Sequence, residues 1–166
     1  MKDLLLIVDV QNGFVSEKTS HIVPKLRKLL NEKVFTHVIF SQFVNKTDSP
    51  YENYLNWYRF KTAEEIAIVN ELLPFVNQIL VKNIYSACNQ WLLNYIKENS
   101  IQNVYIAGID TDCCVLITAT DLFQNGIRPF VLKQYCASNG GFSSHDAALI
   151  VLERLIGDKQ ILDRIF

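Results

Sequence analysis

Five consecutive apolar residues, Leu4-Leu5-Leu6-Ile7-Val8, end abruptly on Asp9, and the pattern recurs along the chain. Strands with one wet face alternate apolar and polar residues. Unbroken apolar runs instead suit strands covered on both faces. Further runs stand at 34–41, 79–81, 104–107, 128–132 and 160–162. Helical patterns lie between them. Pro24 sits where a first helical turn tolerates proline, with Leu26, Leu29 and Leu30 on one face behind it. Thr62-Ala63-Glu64-Glu65 reads as a capping box that starts a helix reaching toward Leu73. Trp91 to Lys97 carries Leu92 and Ile96 four apart, and Val115, Ala119 and Leu122 mark a helix ending near Gly126. Ala148, Val151, Leu152 and Leu155 mark a last helix, ending near Gly157. Strands alternating with helices imply right-handed crossovers. The spacing therefore predicts a three-layer α/β sandwich, with a mostly parallel sheet of roughly six strands and helices on both faces.

Size and charge narrow the class. With 166 residues, 49% of them apolar, the chain is expected to form one domain over 1–166 with a sizeable core. A net charge of −1 without blocks of like charge points away from nucleic acid and other polyanions. The opening Met1-Lys2-Asp3 and the short run cut off by Asp9 do not suit a secretion signal, and no stretch approaches a membrane span. Cys88, Cys113, Cys114 and Cys136 follow no metal-finger or secreted-framework spacing. The expectation is a cytoplasmic domain with reduced thiols.

One stretch breaks the rhythm. Residues 43–61 show no clear periodicity, and Tyr51, Tyr54, Trp57, Tyr58 and Phe60 are interleaved there with polar residues. So many aromatics argue against disorder. They either cover the core or a subunit interface, or they wall a substrate pocket.

The strand ends carry the chemistry. Asp9 follows the first run, Lys82 follows Ile79-Leu80-Val81, and Cys114 closes Gly108-Ile109-Asp110-Thr111-Asp112-Cys113-Cys114 just after Val104-Tyr105-Ile106-Ala107. A parallel sheet gathers the carboxyl ends of its strands on one edge, where ligands bind. An acid, an ammonium and a thiol can meet there, giving a nucleophile with its own proton acceptor and a cation to hold charge. Cys114 is expected in the first turn of the following helix, where backbone N–H groups and Lys82 favour a thiolate. Cys113, its neighbour, is expected to pack away from the cleft.

These residues resemble the isochorismatase-like superfamily of cysteine hydrolases, which includes nicotinamidases and carbamoylsarcosine amidohydrolases. The first motif is matched by Val8-Asp9-Val10-Gln11-Asn12-Gly13-Phe14. Val81-Lys82 matches the second, and Gly108 to Val115 with Thr118-Ala119 the third. The resemblance implies an Asp9–Lys82–Cys114 catalytic set acting on a C–N bond of a small amide, ureido or carbamoyl compound through a Cys114 thioester. It also implies a cis peptide at Ile109–Asp110 and an oxyanion hole built from the backbone N–H groups of Asp110 and Cys114. Gln11, Phe14, Tyr85 and Asp110 are assigned to contact the substrate. Relatives are often dimers or larger, so a homo-oligomer is an open possibility.

Two departures matter. Asp110 stands where many relatives carry a smaller or uncharged residue; its carboxylate either recognises an amino or ureido N–H or faces away in a structural pair. Nicotinamidases carry an Asp-x-His and a further His after the second strand, whereas this chain reads Phe40-Ser41-Gln42-Phe43-Val44-Asn45-Lys46 there. His21, His37 and His145 are scattered, so neither a metal nor another cofactor is expected. A vinyl-ether hydrolase of the same fold and a non-catalytic binding protein remain alternatives. A dinucleotide enzyme is disfavoured because no Gly-x-Gly-x-x-Gly follows the first run. The loop Gln134 to Gly141 after the fifth run leaves the same sheet edge, and it is either a plain turn ending in the cap of a helix that begins near Ser143 or Ser144, or a border of the pocket through Asn139.

Overall fold

Alternate residues of the first strand, β1 (Asp3–Val8), face opposite layers of the molecule. Leu4, Leu6 and Val8 join one apolar cluster, Leu5 and Ile7 the other, and all are fully buried. Each such side chain contributes about 1.5–3 kcal/mol on leaving water, which explains why the run contains no polar residue. The computed structural model describes residues 2–165. It contains β1, β2 (His37–Phe43), β3 (Ile79–Lys82), β4 (Asn103–Ile109), β5 (Arg128–Ala137) and β6 (Ile161–Leu162) in a six-stranded sheet ordered β3-β2-β1-β4-β5-β6. Every pair of neighbouring strands is parallel.

Helix α1 (Ile22–Asn31) and a 3-10 turn (Asn70–Phe75) cover the face formed by Leu5 and Ile7. The opposite face is covered by α4 (Gln90–Glu98), α5 (Leu116–Gln124) and α6 (Phe142–Ile156). Two shorter helices, α2 (Pro50–Leu55) and α3 (Ala63–Ile66), precede β3. The sheet is thus the middle of three layers. From β1 the chain winds toward β2 and β3, and from β4 it winds toward β5 and β6. This reversal opens a crevice at the carboxyl ends of β1 and β4. Gly108 permits their close approach there: at φ +129 its backbone runs so near Val8 that an added Cβ would lie 2.0 Å from the Val8 carbonyl oxygen.

Several elements depart from the pattern read in the sequence. Thr62 does cap a helix, its hydroxyl accepting from the Glu65 N–H, yet that helix stops at Ile66. The Ile66 carbonyl is claimed by the side chains of Gln11 and Gln42, and Ile68 pairs with Gln11 in an antiparallel bridge. Pro74 then keeps the next turn short. Strand β5 runs on to Ala137 instead of ending at Leu132, through an irregularity opposite Ile106–Gly108. In α6 the buried stripe is Ala148, Leu152 and Ile156, while Val151 and Leu155 are 44% and 42% exposed. The continuous apolar stretch around them hides the helical phase. Segment 43–61 contains α2, whose start is signalled by Ser49 and Pro50: the Ser49 hydroxyl accepts from the Glu52 N–H. Among the described residues, no helix is long and apolar enough to cross a membrane.

Candidate active site

Asp9 follows β1 with a left-handed backbone (φ 51), a conformation that non-glycine residues rarely adopt. It turns a fully buried carboxylate toward the neighbouring strands. Ser41 on β2 fixes one end: its hydroxyl donates to Asp9 Oδ1 at 2.6 Å and accepts from the Asp9 N–H at 3.2 Å. The sequence reading missed Ser41, whose only signal was a small polar residue closing an apolar run. Lys82, at the end of β3, places Nζ 2.6 Å from Asp9 Oδ2. The same ammonium donates to the carbonyls of Ile84 and Tyr85, both at 3.0 Å, and lies 3.5 Å from Cys114 Sγ. The Phe43 ring sits 5.2 Å from it. Three strand ends distant in sequence therefore meet at one nitrogen.

Cys114 lies in a π-type turn (Thr111–Val115) that leads into α5. Such wide turns are frequent at functional sites. A wider turn rotates successive side chains by a smaller angle, so Cys113 also reaches the cavity wall, contrary to expectation. Burial pushes the Cys113 thiol up to about 11, reinforced by Asp112 and Asp110. Cys114 is also held well above an ordinary thiol, first by burial and then by the Asp9 charge, with Lys82 opposing both. Burial alone would lower Lys82, but the Asp9 charge, joined by Cys114 only where the thiol ionises, outweighs it and keeps the ammonium protonated. The resting cluster is thus a thiol beside a carboxylate–ammonium pair, not the preformed thiolate that its place at a helix start suggested. Apart from Lys82, Asp9 Oδ2 has no hydrogen-bond partner among the described residues, which leaves it a lone pair for a proton.

Cys114 opens onto a cavity of about 570 Å³. Phe14, Phe43, Tyr51, Trp57 and Tyr85 form its aromatic wall, with Phe14 stacked 6.3 Å from Trp57 and Tyr51 set edge-on to Tyr85. Segment 43–61 therefore walls the pocket through Tyr51 and Trp57, whereas Tyr54 is 82% exposed. Phe14, Tyr85 and Asp110, assigned to the substrate from sequence, line the cavity. Gln11 does not. Its amide group is spent on the Phe43 N–H and on the Phe43 and Ile66 carbonyls, so it braces the wall from behind.

The Ile109–Asp110 peptide is cis. Asp110 Oδ1 accepts from the backbone N–H and side-chain amide of Asn139, at 2.7 and 2.9 Å. Asn139 also donates to the Phe14 carbonyl and accepts from the Ser16 hydroxyl, so it borders the cavity and ties three loops together. Burial pushes the Asp110 carboxyl up to about 6, against the lowering effect of the Asn139 donors and helped by Asp112 and Asp9. An acid whose folded value lies above its unfolded one binds more protons when folded. It therefore costs stability above pH 6, and the cost fades as pH falls toward 4. Asp110→Asn is expected to raise the melting midpoint at pH 8 by a few degrees and to give no gain at pH 4, read by calorimetric scans.

His145 Nδ1 lies 2.7 Å from the Thr111 hydroxyl, His37 bonds Tyr95, and His21 packs by Phe142. Among the described residues no group of three or more His, Cys, Asp or Glu side chains is placed to hold a metal ion.

The isochorismatase domain family model matches residues 3–158. Among curated proteins, isochorismatase family protein 1A of Dictyostelium discoideum is 34% identical over 80 residues, 47% of this chain but only 37% of the relative. The chain thus aligns with little more than a third of that relative's length. Among solved structures, an isochorismatase-like hydrolase from Alkaliphilus metalliredigens superposes with a TM-score of 0.83 at 25% identity, covering 93% of this chain and 92% of the other. Nicotinamidase from Bacillus subtilis shares the fold at a TM-score of 0.82 and 24% identity, over 98% of this chain and 100% of its own. N-carbamoylsarcosine amidase from Thermoplasma acidophilum does so at 0.77 and 22%, over 92% and 93%.

Proposed function

The chain belongs to the isochorismatase family, and from that membership and the buried Asp9–Lys82–Cys114 cluster we propose a cysteine hydrolase of small amides, ureides or carbamoyl compounds. One observation carries the reading: a single ammonium lies 2.6 Å from a buried carboxylate and 3.5 Å from a thiol at a cavity wall. The Cys114 proton passes to Asp9 Oδ2 as Sγ attacks the carbonyl carbon. The C=O π electrons move onto oxygen, and the oxyanion is received by the N–H groups of Asp110 and Cys114. The Asp110 N–H is free for this, having no hydrogen-bond partner among the described residues. Collapse breaks the C–N bond, and the amine leaves with the proton from Asp9. Asp9 then deprotonates water, which attacks the thioester and releases the acid, returning a proton to Cys114.

Lys82 keeps the cluster's charge balanced while the negative charge shifts from Asp9 to sulfur. The nicotinamidase and amidase activities named for the structural relatives fit this chemistry. A cavity of about 570 Å³ suits a small-molecule substrate. Free Cys88, Cys113, Cys114 and Cys136 suit a reducing, cytoplasmic setting. Acid quenching during turnover of an amide panel, followed by intact-mass measurement, is expected to find an acyl group on Cys114 and none on Cys114→Ala. Steady amide turnover by Cys114→Ala at the wild-type rate would overturn the proposal.

A further inference from the structure

The charges around the cavity nearly cancel. Asp9 is neutralised by Lys82 at 2.6 Å, and Arg59 is paired with Glu65 at 3.1 Å while also donating to the Gly13 carbonyl. Asp110 is left over. Its Oδ1 is held by two donors from Asn139, both uncharged, while its Oδ2 has no hydrogen-bond partner among the described residues, and the residue lines the cavity. Nearby Asp112, itself carrying a buried Oδ1 with no partner there, adds to the negative potential. Because Asn139 also bonds the Phe14 carbonyl and the Ser16 hydroxyl, the carboxylate is locked relative to the aromatic wall before any ligand arrives. A lone fixed acceptor in a small, largely aromatic cavity selects a donor, and aromatic faces favour a cation over an anion.

Resting on the amide-hydrolase reading, we infer that the substrate carries a hydrogen-bearing nitrogen, best a protonated amine, that binds Asp110 Oδ2, and that amides bearing a carboxylate are rejected. Asp110 thereby has two parts in one site: its backbone N–H serves the reacting oxygen, and its side chain reads the far end of the substrate.

Three short series test this by ammonia release. They are glycinamide, 3-aminopropanamide and 4-aminobutanamide; their isosteres propanamide, butanamide and pentanamide; and malonamate, succinamate and glutaramate. The best amino amide is expected to exceed its isostere about tenfold in kcat/KM, mainly through KM, with the carboxylates slowest. In Asp110→Asn the ratio of amino amide to isostere should fall to about one. Calorimetric binding of the same compounds to Cys114→Ala reads the preference without chemistry, and the same order is expected. Turnover or binding of succinamate equal to that of 3-aminopropanamide overturns the inference, as does an unchanged ratio in Asp110→Asn. If neutral amides react without any preference, only this inference fails. If no amide of any charge acylates Cys114, the hydrolase reading falls with it.

Discussion

Replacing Asp9 by Asn is expected to cut amide turnover by about two to four orders of magnitude while making Cys114 more reactive toward iodoacetamide at pH 7. The two effects run in opposite directions because Asp9 has two influences on the thiol. As a carboxylate it accepts the Cys114 proton during attack and returns it to the leaving amine. Through its charge it raises the Cys114 proton affinity, second only to burial. Asparagine removes both. With Lys82 still 3.5 Å from Sγ, the only full charge beside the sulfur becomes positive, and the thiolate fraction at neutral pH rises. The variant is left with a reactive sulfur and no proton shuttle. Iodoacetamide needs only a thiolate, whereas an amide needs a proton delivered to its nitrogen. Parallel losses of alkylation and turnover would mean that Asp9 supports the thiolate instead, and the proposed proton route would be wrong.

The same contrast shows which parts of the site were legible in the sequence. Asp9, Lys82 and Cys114 could be found because each terminates or follows an apolar run, and a parallel sheet brings such ends to one edge whatever their separation along the chain. Ser41 could not be assigned, since its hydroxyl acquires a role only through the pairing of β2 with β1, where Ile7 lies opposite Phe40. Gln11 was misassigned for a related reason. It follows the acid in the motif, but Phe43 and Ile66 take both its N–H donors and the Phe43 N–H occupies its oxygen, and none of these contacts is local. The protonated resting thiol was equally hidden. Place in a helix start is a local property that favours thiolate, whereas burial of Cys114 depends on the whole fold and prevails here. In α6 the six-residue apolar run 147–152 left the buried face undetermined until packing against the sheet chose Ala148, Leu152 and Ile156.

Lys82→Met is expected to lower stability by about 3–5 kcal/mol, a fall in melting midpoint on the order of 10 °C, although methionine fills a comparable volume. The reason is what the substitution leaves behind. Asp9 is fully buried, its Oδ1 is satisfied by Ser41, and among the described residues its Oδ2 has only the Lys82 ammonium. Without that cation a carboxylate charge remains in a low-dielectric site with one hydroxyl to solvate it, and the Ile84 and Tyr85 carbonyls lose their donor as well. The sign of the pH dependence follows. In the wild type, folding raises the Lys82 affinity for its proton, so the contribution of that shift is complete below the ordinary lysine range and is lost as strongly alkaline pH strips the ammonium. In Lys82→Met the deficit should instead be largest at pH 8 and shrink toward pH 4, where the stranded carboxylate can take a proton. Adding Asp9→Asn to Lys82→Met removes the stranded charge, and the double variant should melt above Lys82→Met alone at pH 8. Thermal scans of Lys82→Met, Asp9→Asn and the double variant across pH read the coupling directly. A Lys82→Met deficit that was the same at every pH, and not relieved by Asp9→Asn, would show that lost packing around the lysine stem, rather than an unpaired Asp9, is responsible.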